Sequence, residues 1–149
     1  MPKKTFKGRV VLPGKIAGKA TVSKQAFNTS GSYMENMFAG RTDAAPCSDA
    51  NNKELFGKEL SGAILCTTTT VGSTMGGMAL MGVKAIGVGP EALLFSQPID
   101  TLAAAGVLMA DIWKDQRIVT VDMLGDEFLE TVKMGDPISV HEDGTVEVG

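Results

Sequence analysis

The sequence is poor in the side chains that gather metals or relay protons: 149 residues hold one histidine, two cysteines, one tyrosine and one tryptophan. Two widely spaced thiols, Cys47 and Cys66, without a histidine cluster do not make a zinc or iron–sulfur site, which needs three or four close ligands. Nor can they form the dense bridging that staples small secreted domains, so reduced thiols are expected. A positive excess is missing too. Lys plus Arg total 14 against 17 Asp plus Glu, a net charge of -3, which leaves no broad basic field for phosphate neutralisation and no nucleic-acid partner to expect. No run approaches the roughly 18 to 20 apolar residues of a membrane span. The cationic start, with Lys3, Lys4, Lys7 and Arg9, is not followed by the apolar stretch of a signal peptide. A cytoplasmic protein without a membrane partner is the expectation.

Glycine and methionine are what the chain has in quantity, 18 and 9 residues. Many turns and close backbone approaches follow from the first. The length suits one domain, residues 1–149, able to bury about two-thirds of the surface its unfolded form exposes. Lys7 to Leu12 and Gly18 to Ser23 read as strands of a small antiparallel opening, separated by Pro13-Gly14. From Gln25 to Gly57 the pattern dissolves into Asn, Ser, Gly, Asp and Pro, and a loop of that length usually covers something. Leu60 to Val71 then reads as a strand buried on both faces, because Ala63 to Cys66 is a continuous apolar run.

A glycine loop, Gly72-Ser73-Thr74-Met75-Gly76-Gly77, follows that strand, with a short helix expected over Met78–Gly82 and the next strand over Lys84–Val88. This is a βαβ unit. Pro98 to Ala110 predicts a helix ending near Gly106, Val119–Val121 a strand and Asp126–Thr131 a helical turn. Ile138–Val140 and Thr145–Val148 close the chain as a hairpin around His141 to Gly144. The fold class is therefore mixed α/β, barrel-like strands with a strand–glycine loop–helix unit.

The glycine loop carries the chemistry. A serine placed between a buried strand and a helix start sits where backbone N–H groups converge and the helix dipole favours negative charge. Such a place can hold an anion or a serine alkoxide. The inert reading of Ser73 or Thr74 is a helix N-cap. A Walker A loop is excluded because no lysine follows the glycines, and a G-x-S-x-G elbow because Met75 stands two residues after Ser73. His141, beside Glu142 and Asp143, reads as a solvated turn residue. Met75, Met78 and Met81 recur at helical spacing, as core filling does.

Taken together, GRVVLPGKIAGKATVS, FGKELSGAILC, TTTTVGSTMGG, AIGV, PIDTLAAAGVLMADIW and IVTVD resemble the small subunit, or swivel domain, of the aconitase X family from about Lys7 to Val148. The resemblance implies a swivelling β/β/α module that closes over a large catalytic subunit carrying an iron or iron–sulfur centre, with no cofactor bound by this chain alone. It implies a hydro-lyase acting on a small hydroxy acid, Ser73 as the catalytic base, and a substrate cradle in which Gly72, Thr74, Gly76 and Gly77 are the candidates from loop geometry. Many archaeal members show a Gly-Arg-Gly-Ser-Ser type loop, whereas Val71 stands here at the arginine's place. That loss, with the asparagine-rich insert from Phe27 to Asn52, points to cis-3-hydroxy-L-proline, converted to Δ1-pyrroline-2-carboxylate. A phosphomevalonate-type substrate is the alternative. Swivelling domains of another class carry phosphohistidine or only bind, and the first of these would need a histidine on the glycine loop.

Overall fold

The computed structural model describes residues 2–149. The chain runs β1 (Lys4–Lys7), β2 (Arg9–Leu12), β3 (Ile16–Val22), β4 (Phe27–Asn28), α1 (Thr29–Ser32), α2 (Met34–Met37), β5 (Ile64–Thr67), β6 (Thr70–Val71), α3 (Gly76–Ala85) and β7 (Ala92–Phe95). It continues through α4 (Thr101–Lys114), β8 (Val119–Asp122), α5 (Asp126–Thr131), β9 (Pro137–Val140) and β10 (Thr145–Val148). Eight strands form one sheet in the order β1-β10-β9-β3-β5-β7-β8-β2. The middle four, β3, β5, β7 and β8, are parallel, and the remaining pairs are antiparallel.

The two outermost strands of that order, β1 and β2, are neighbours in sequence, joined through Gly8. The sheet therefore curls until its edges meet, a nearly closed barrel that leaves few unpaired edges. Gly8 donates its N–H to the Gly144 carbonyl at 3.0 Å, and a side chain there would stand 2.5 Å from the Asp122 carbonyl oxygen. Next to it Arg9 clamps the buried Asp122 carboxylate through Nε at 2.9 Å and Nη2 at 2.6 Å. Strand β3 turns the opposite corner: its first half pairs with β9 and its last three residues with β5.

Side chains that alternate along the parallel strands feed two cores. Ile64, Cys66, Leu94 and Val121 point into the barrel with Ile138, Val140, Val146 and Val148. Leu65, Leu93 and Phe95 point the other way, under Leu80, Val83, Ala103 and Val107 of α3 and α4. This two-sided burial is why the strands read as unbroken apolar runs. Helix α5 adds Phe128 to the barrel core, edge-on to Phe6 with ring centroids 5.4 Å apart.

Several sequence expectations need correction. Lys7–Leu12 is two strands broken at Gly8, and β2 pairs with β8, not with β3, so the opening is no hairpin. The helix expected over Met78–Gly82 spans Gly76–Ala85, and Lys84–Val88 is no strand. Lys84 closes α3, Gly87 takes the left-handed conformation after it (φ +88°), and the strand is the next apolar run, Ala92–Phe95. A glycine just past a helix end is the usual stop. Met75 and Met78 are exposed on the outer side of α3 and Met81 is half-buried, so this set does not fill the core. The 25–57 region is ordered by β4, α1 and α2, with Phe27, Tyr33 and Leu55 fully buried. The closing hairpin stands as expected.

Helix α4 does not end near Gly106 but runs to Lys114. Gly106 instead lies against Gly77 of α3. A methyl on Gly77 would overlap the Leu102 carbonyl oxygen, and one on Gly106 would stand 2.5 Å from the Gly77 carbonyl oxygen. The two helix backbones touch, which only glycine permits. Gly77→Ala is expected to cost about 1–3 kcal/mol through overpacking. Gly82→Ala in the same helix, where nothing lies within 4 Å, should instead stabilise by about 0.5–1 kcal/mol. Urea denaturation midpoints of the two variants check this, and equal effects would contradict the contact.

Candidate functional site

Strand β5 ends at Thr67, whose hydroxyl donates to the Gln25 carbonyl at 2.6 Å. Thr69 donates to the Pro98 carbonyl at 3.2 Å, and the chain steps sideways into β6. That two-residue strand pairs in parallel with β4, Phe27 to Thr70 and Asn28 to Val71. Gly72 follows with φ +118°, a conformation side chains rarely adopt, and a Cβ there would stand 2.6 Å from Asn28 Oδ1. The glycine is required twice over.

Ser73 comes next and is exposed. Its Oγ accepts the Met75 N–H at 3.1 Å, and its carbonyl accepts the Gly76 N–H at 3.0 Å. Met75, not Ser73 or Thr74, occupies the N-cap position of α3 and supplies no side-chain cap. The Ser73 hydroxyl thus sits one turn ahead of the helix, held by a backbone donor and open to solvent. Ser30 Oγ of α1 lies 3.2 Å from Ser73 Oγ, within hydrogen-bond distance.

Ser73 forms one wall of a cleft of about 390 Å³, lined by Thr29, Thr70, Val71, Gly72, Ser73, Gly76 and by Asp100 to Ala103. The N-termini of α3 and α4 both open onto it. Helix dipoles place partial positive charge there, and Asp100 is the one charged side chain in the lining. That carboxylate already caps α4, accepting the N–H groups of Leu102 at 2.8 Å and Ala103 at 3.1 Å. Thr70 is 5% exposed and its buried Oγ1 has no hydrogen-bond partner. A buried hydroxyl without a partner costs free energy unless something fills the place.

Gly72, Ser73 and Gly76 of the sequence-predicted set therefore line one cleft. Thr74 is exposed outside the lining, and Gly77 faces α4. Sequence reasoning did not find Thr29, Ser30, Thr70, Asp100 or Thr101. Asp100 had a signal, an acidic residue directly before an apolar helical run; Ser30 had none, because only the β4–β6 pairing carries it to the loop.

His141 lies on the β9–β10 turn, outside the cleft lining, with Nε2 3.6 Å from the Glu147 carboxylate. Cys47 and Cys66 are both buried and unpaired. Burial pushes the Cys66 thiol well above its ordinary range, and the Tyr33 hydroxyl likewise, first by burial and then by Cys47 and Glu59 nearby. An iron or iron–sulfur centre does not fit the described residues: no three His, Cys, Asp or Glu side chains gather in a way that could hold a metal ion. Among the described residues no helix is long and apolar enough to cross a membrane.

The chain and its curled eight-stranded sheet have known counterparts. The profile of the aconitase X swivel domain matches residues 5–148. The phosphomevalonate dehydratase small subunit of Archaeoglobus fulgidus is 29% identical over 144 residues, 96% of this chain and 97% of that one. The small subunit of the same name from Aeropyrum pernix is 35% identical over 92 residues, 62% of this chain and 64% of that one. The crystal structure of holo-form aconitase X from Thermococcus kodakaraensis superposes with a TM-score of 0.80 at 25% identity, covering 98% of both chains. With nearly every described residue inside that profile and the same fold in a solved member, the chain belongs to the aconitase X swivel-domain family.

Proposed function

We propose that this chain is the small subunit of an aconitase X-type dehydratase, with Ser73 as the base and a hydroxy acid carboxylate held in the cleft beside it. The observation that carries the reading is the Ser73 hydroxyl itself, exposed at the mouth of a concave site with the N-termini of two helices facing in. Its relatives are named small subunits, which supports a large-subunit partner that completes the site.

The reaction is a β-elimination. Ser73, as alkoxide, takes the proton from the carbon next to the substrate carboxylate; the freed electron pair forms the double bond, and the hydroxyl on the neighbouring carbon leaves as water. Proton removal beside a carboxylate builds negative charge on that group; the partial positive charge of the α3 start and a hydrogen bond from the otherwise unpartnered Thr70 hydroxyl would stabilise it. The leaving hydroxyl needs an acid that the cleft does not present, since its one carboxylate is committed to capping α4. The partner has to supply it, and an iron or iron–sulfur centre there would act as a Lewis acid.

For the substrate, 5-phosphomevalonate is the first reading, because each curated relative found carries that name. It displaces the hydroxyproline expectation from the lead. One observation keeps cis-3-hydroxy-L-proline as the second reading: no lysine or arginine lines the cleft, and half-exposed Val71 lines it at the position where the family resemblance implies an arginine in many archaeal members. A phosphate would then rely on helix N-termini and on the partner for its charge.

With the large subunit reconstituted, both substrates should be assayed side by side; turnover of phosphomevalonate is expected, and turnover of hydroxyproline alone would reverse the order. Ser73→Ala is expected to lower turnover by about 100- to 10,000-fold while the two subunits still co-elute; near-normal turnover would remove Ser73 from the role of base. Thr70→Val, which keeps the shape and deletes the orphaned hydroxyl, should stabilise the isolated chain by about 1 kcal/mol in urea denaturation and raise KM in the complex.

A further inference from the structure

From outside its own loop one side chain reaches the Ser73 hydroxyl within hydrogen-bond distance, that of Ser30, at 3.2 Å. Its hydroxyl makes no other hydrogen bond, and it lies in the insert whose sequence has no periodicity. Yet the insert is fixed at this point from both sides. Asn28 Oδ1 accepts the Gly31 N–H at 3.0 Å and packs on Gly72. Ser48 Oγ donates to the Gly31 carbonyl at 2.7 Å and accepts the Met34 N–H at 3.0 Å, while the Ser48 N–H donates to the Ser32 carbonyl at 3.0 Å. The Pro46-Cys47-Ser48 turn thus pins the α1–α2 junction, and α1 presents Ser30 to Ser73.

Between two neutral serines either oxygen can donate. Once Ser73 loses its proton only Ser30 can, and the Ser73 oxygen then has two donors, the Met75 N–H at 3.1 Å and the Ser30 O–H at 3.2 Å. Donors fixed before charge develops stabilise an oxyanion without reorganising. The one charged side chain facing the cleft is Asp100, on the N-terminal side of α4; α1, β6 and the α3 start bring only hydroxyls, Val71 and glycines to its lining. No cation competes for the role.

We propose that Ser30 is a positioning residue for the base: it donates to the Ser73 oxyanion, so that the 25–57 insert supplies half of the cradle that makes residue 73 acidic. The inference rests on the reading of Ser73 as the base, but one arm of its test does not.

In that arm Ser73→Cys turns the position into a titratable anion that the isolated chain reports directly through thiolate ultraviolet absorbance. The parent chain, titrated alongside, supplies the baseline for the two native thiols, Cys47 and Cys66. A thiolate pKa below the ordinary value of about 8.5 is expected. Adding Ser30→Ala should raise it, lowering the thiolate fraction by about three- to tenfold on the acid side of the titration, while adding Ser30→Thr, which keeps the hydroxyl, should leave it in place. Equal titrations for the Ser, Ala and Thr backgrounds at position 30 would overturn the proposal.

The second arm uses the complex. Ser30→Ala alone should move the rise of kcat with pH to higher pH and lower turnover at neutral pH by about 10- to 100-fold, with KM and subunit association unchanged; Ser30→Thr should restore both. An unshifted profile would overturn the proposal. If Ser73→Ala keeps its turnover, the base assignment falls, while the thiolate comparison still decides whether Ser30 stabilises an anion at position 73.

Discussion

The contact between Gly77 and Gly106 sets the geometry on which the site depends. Two helices whose backbones touch have their axes fixed by main-chain atoms, which cannot choose another rotamer. Both helices start at the same rim, so that contact also fixes the distance between their N-termini. The cleft is the space left over. Ser73 sits just ahead of one start, and Asp100 caps the other. The carboxylate of Asp122 adds a second restraint, since its Oδ2 accepts the Ile99 N–H at 2.8 Å while Arg9 holds the same group from β2. Barrel closure and the wall of the cleft share one buried side chain.

The polar chemistry of the cleft comes from hydroxyls and backbone N–H groups. In the proposed role Ser73 has to ionise, and its acidity would then be set by the donors that face its oxygen. Apolar side chains are exposed at the starts of α3 and α4. Met75, Met78 and Leu102 are all more than a third exposed, and covering them would remove water from around the hydroxyl and strengthen each of its hydrogen bonds.

Much of this was legible in the sequence. The buried strand, the glycine loop and the helix after it stand out because two-sided burial makes an unbroken apolar run and glycines punctuate it. That basis singles out the loop with its two hydroxyls, Ser73 and Thr74; the choice of Ser73 as base comes from the family resemblance. Gly87 and Gly106 show where such reading fails. Gly87, read as part of a strand over Lys84–Val88, instead stops α3, while Gly106, read as a stop, lies mid-helix because Gly77, nearly thirty residues away in sequence, needs the room. The same holds for the insert. Phe27-Asn28-Thr29-Ser30 carries no period, and its order comes from a two-residue pairing with Thr70-Val71 and from one serine, Ser48, bonding to three backbone groups. Local sequence cannot announce a neighbour that is distant along the chain.

Ring closure has a consequence for how the molecule is made. Strand β1 finds its partner in β10, with Lys4 opposite Val148, and β2 waits for β8, with Arg9 opposite Asp122. During synthesis β1 therefore has nothing to pair with until β10 leaves the ribosome. Contacts of such long sequence separation form slowly. The parallel centre can assemble around α3 and α4 in the meantime, with the β1 edge held open, so Phe6 and the barrel interior stay unsealed until β10 arrives. A protein of this topology is expected to be more vulnerable while being translated than at any later time.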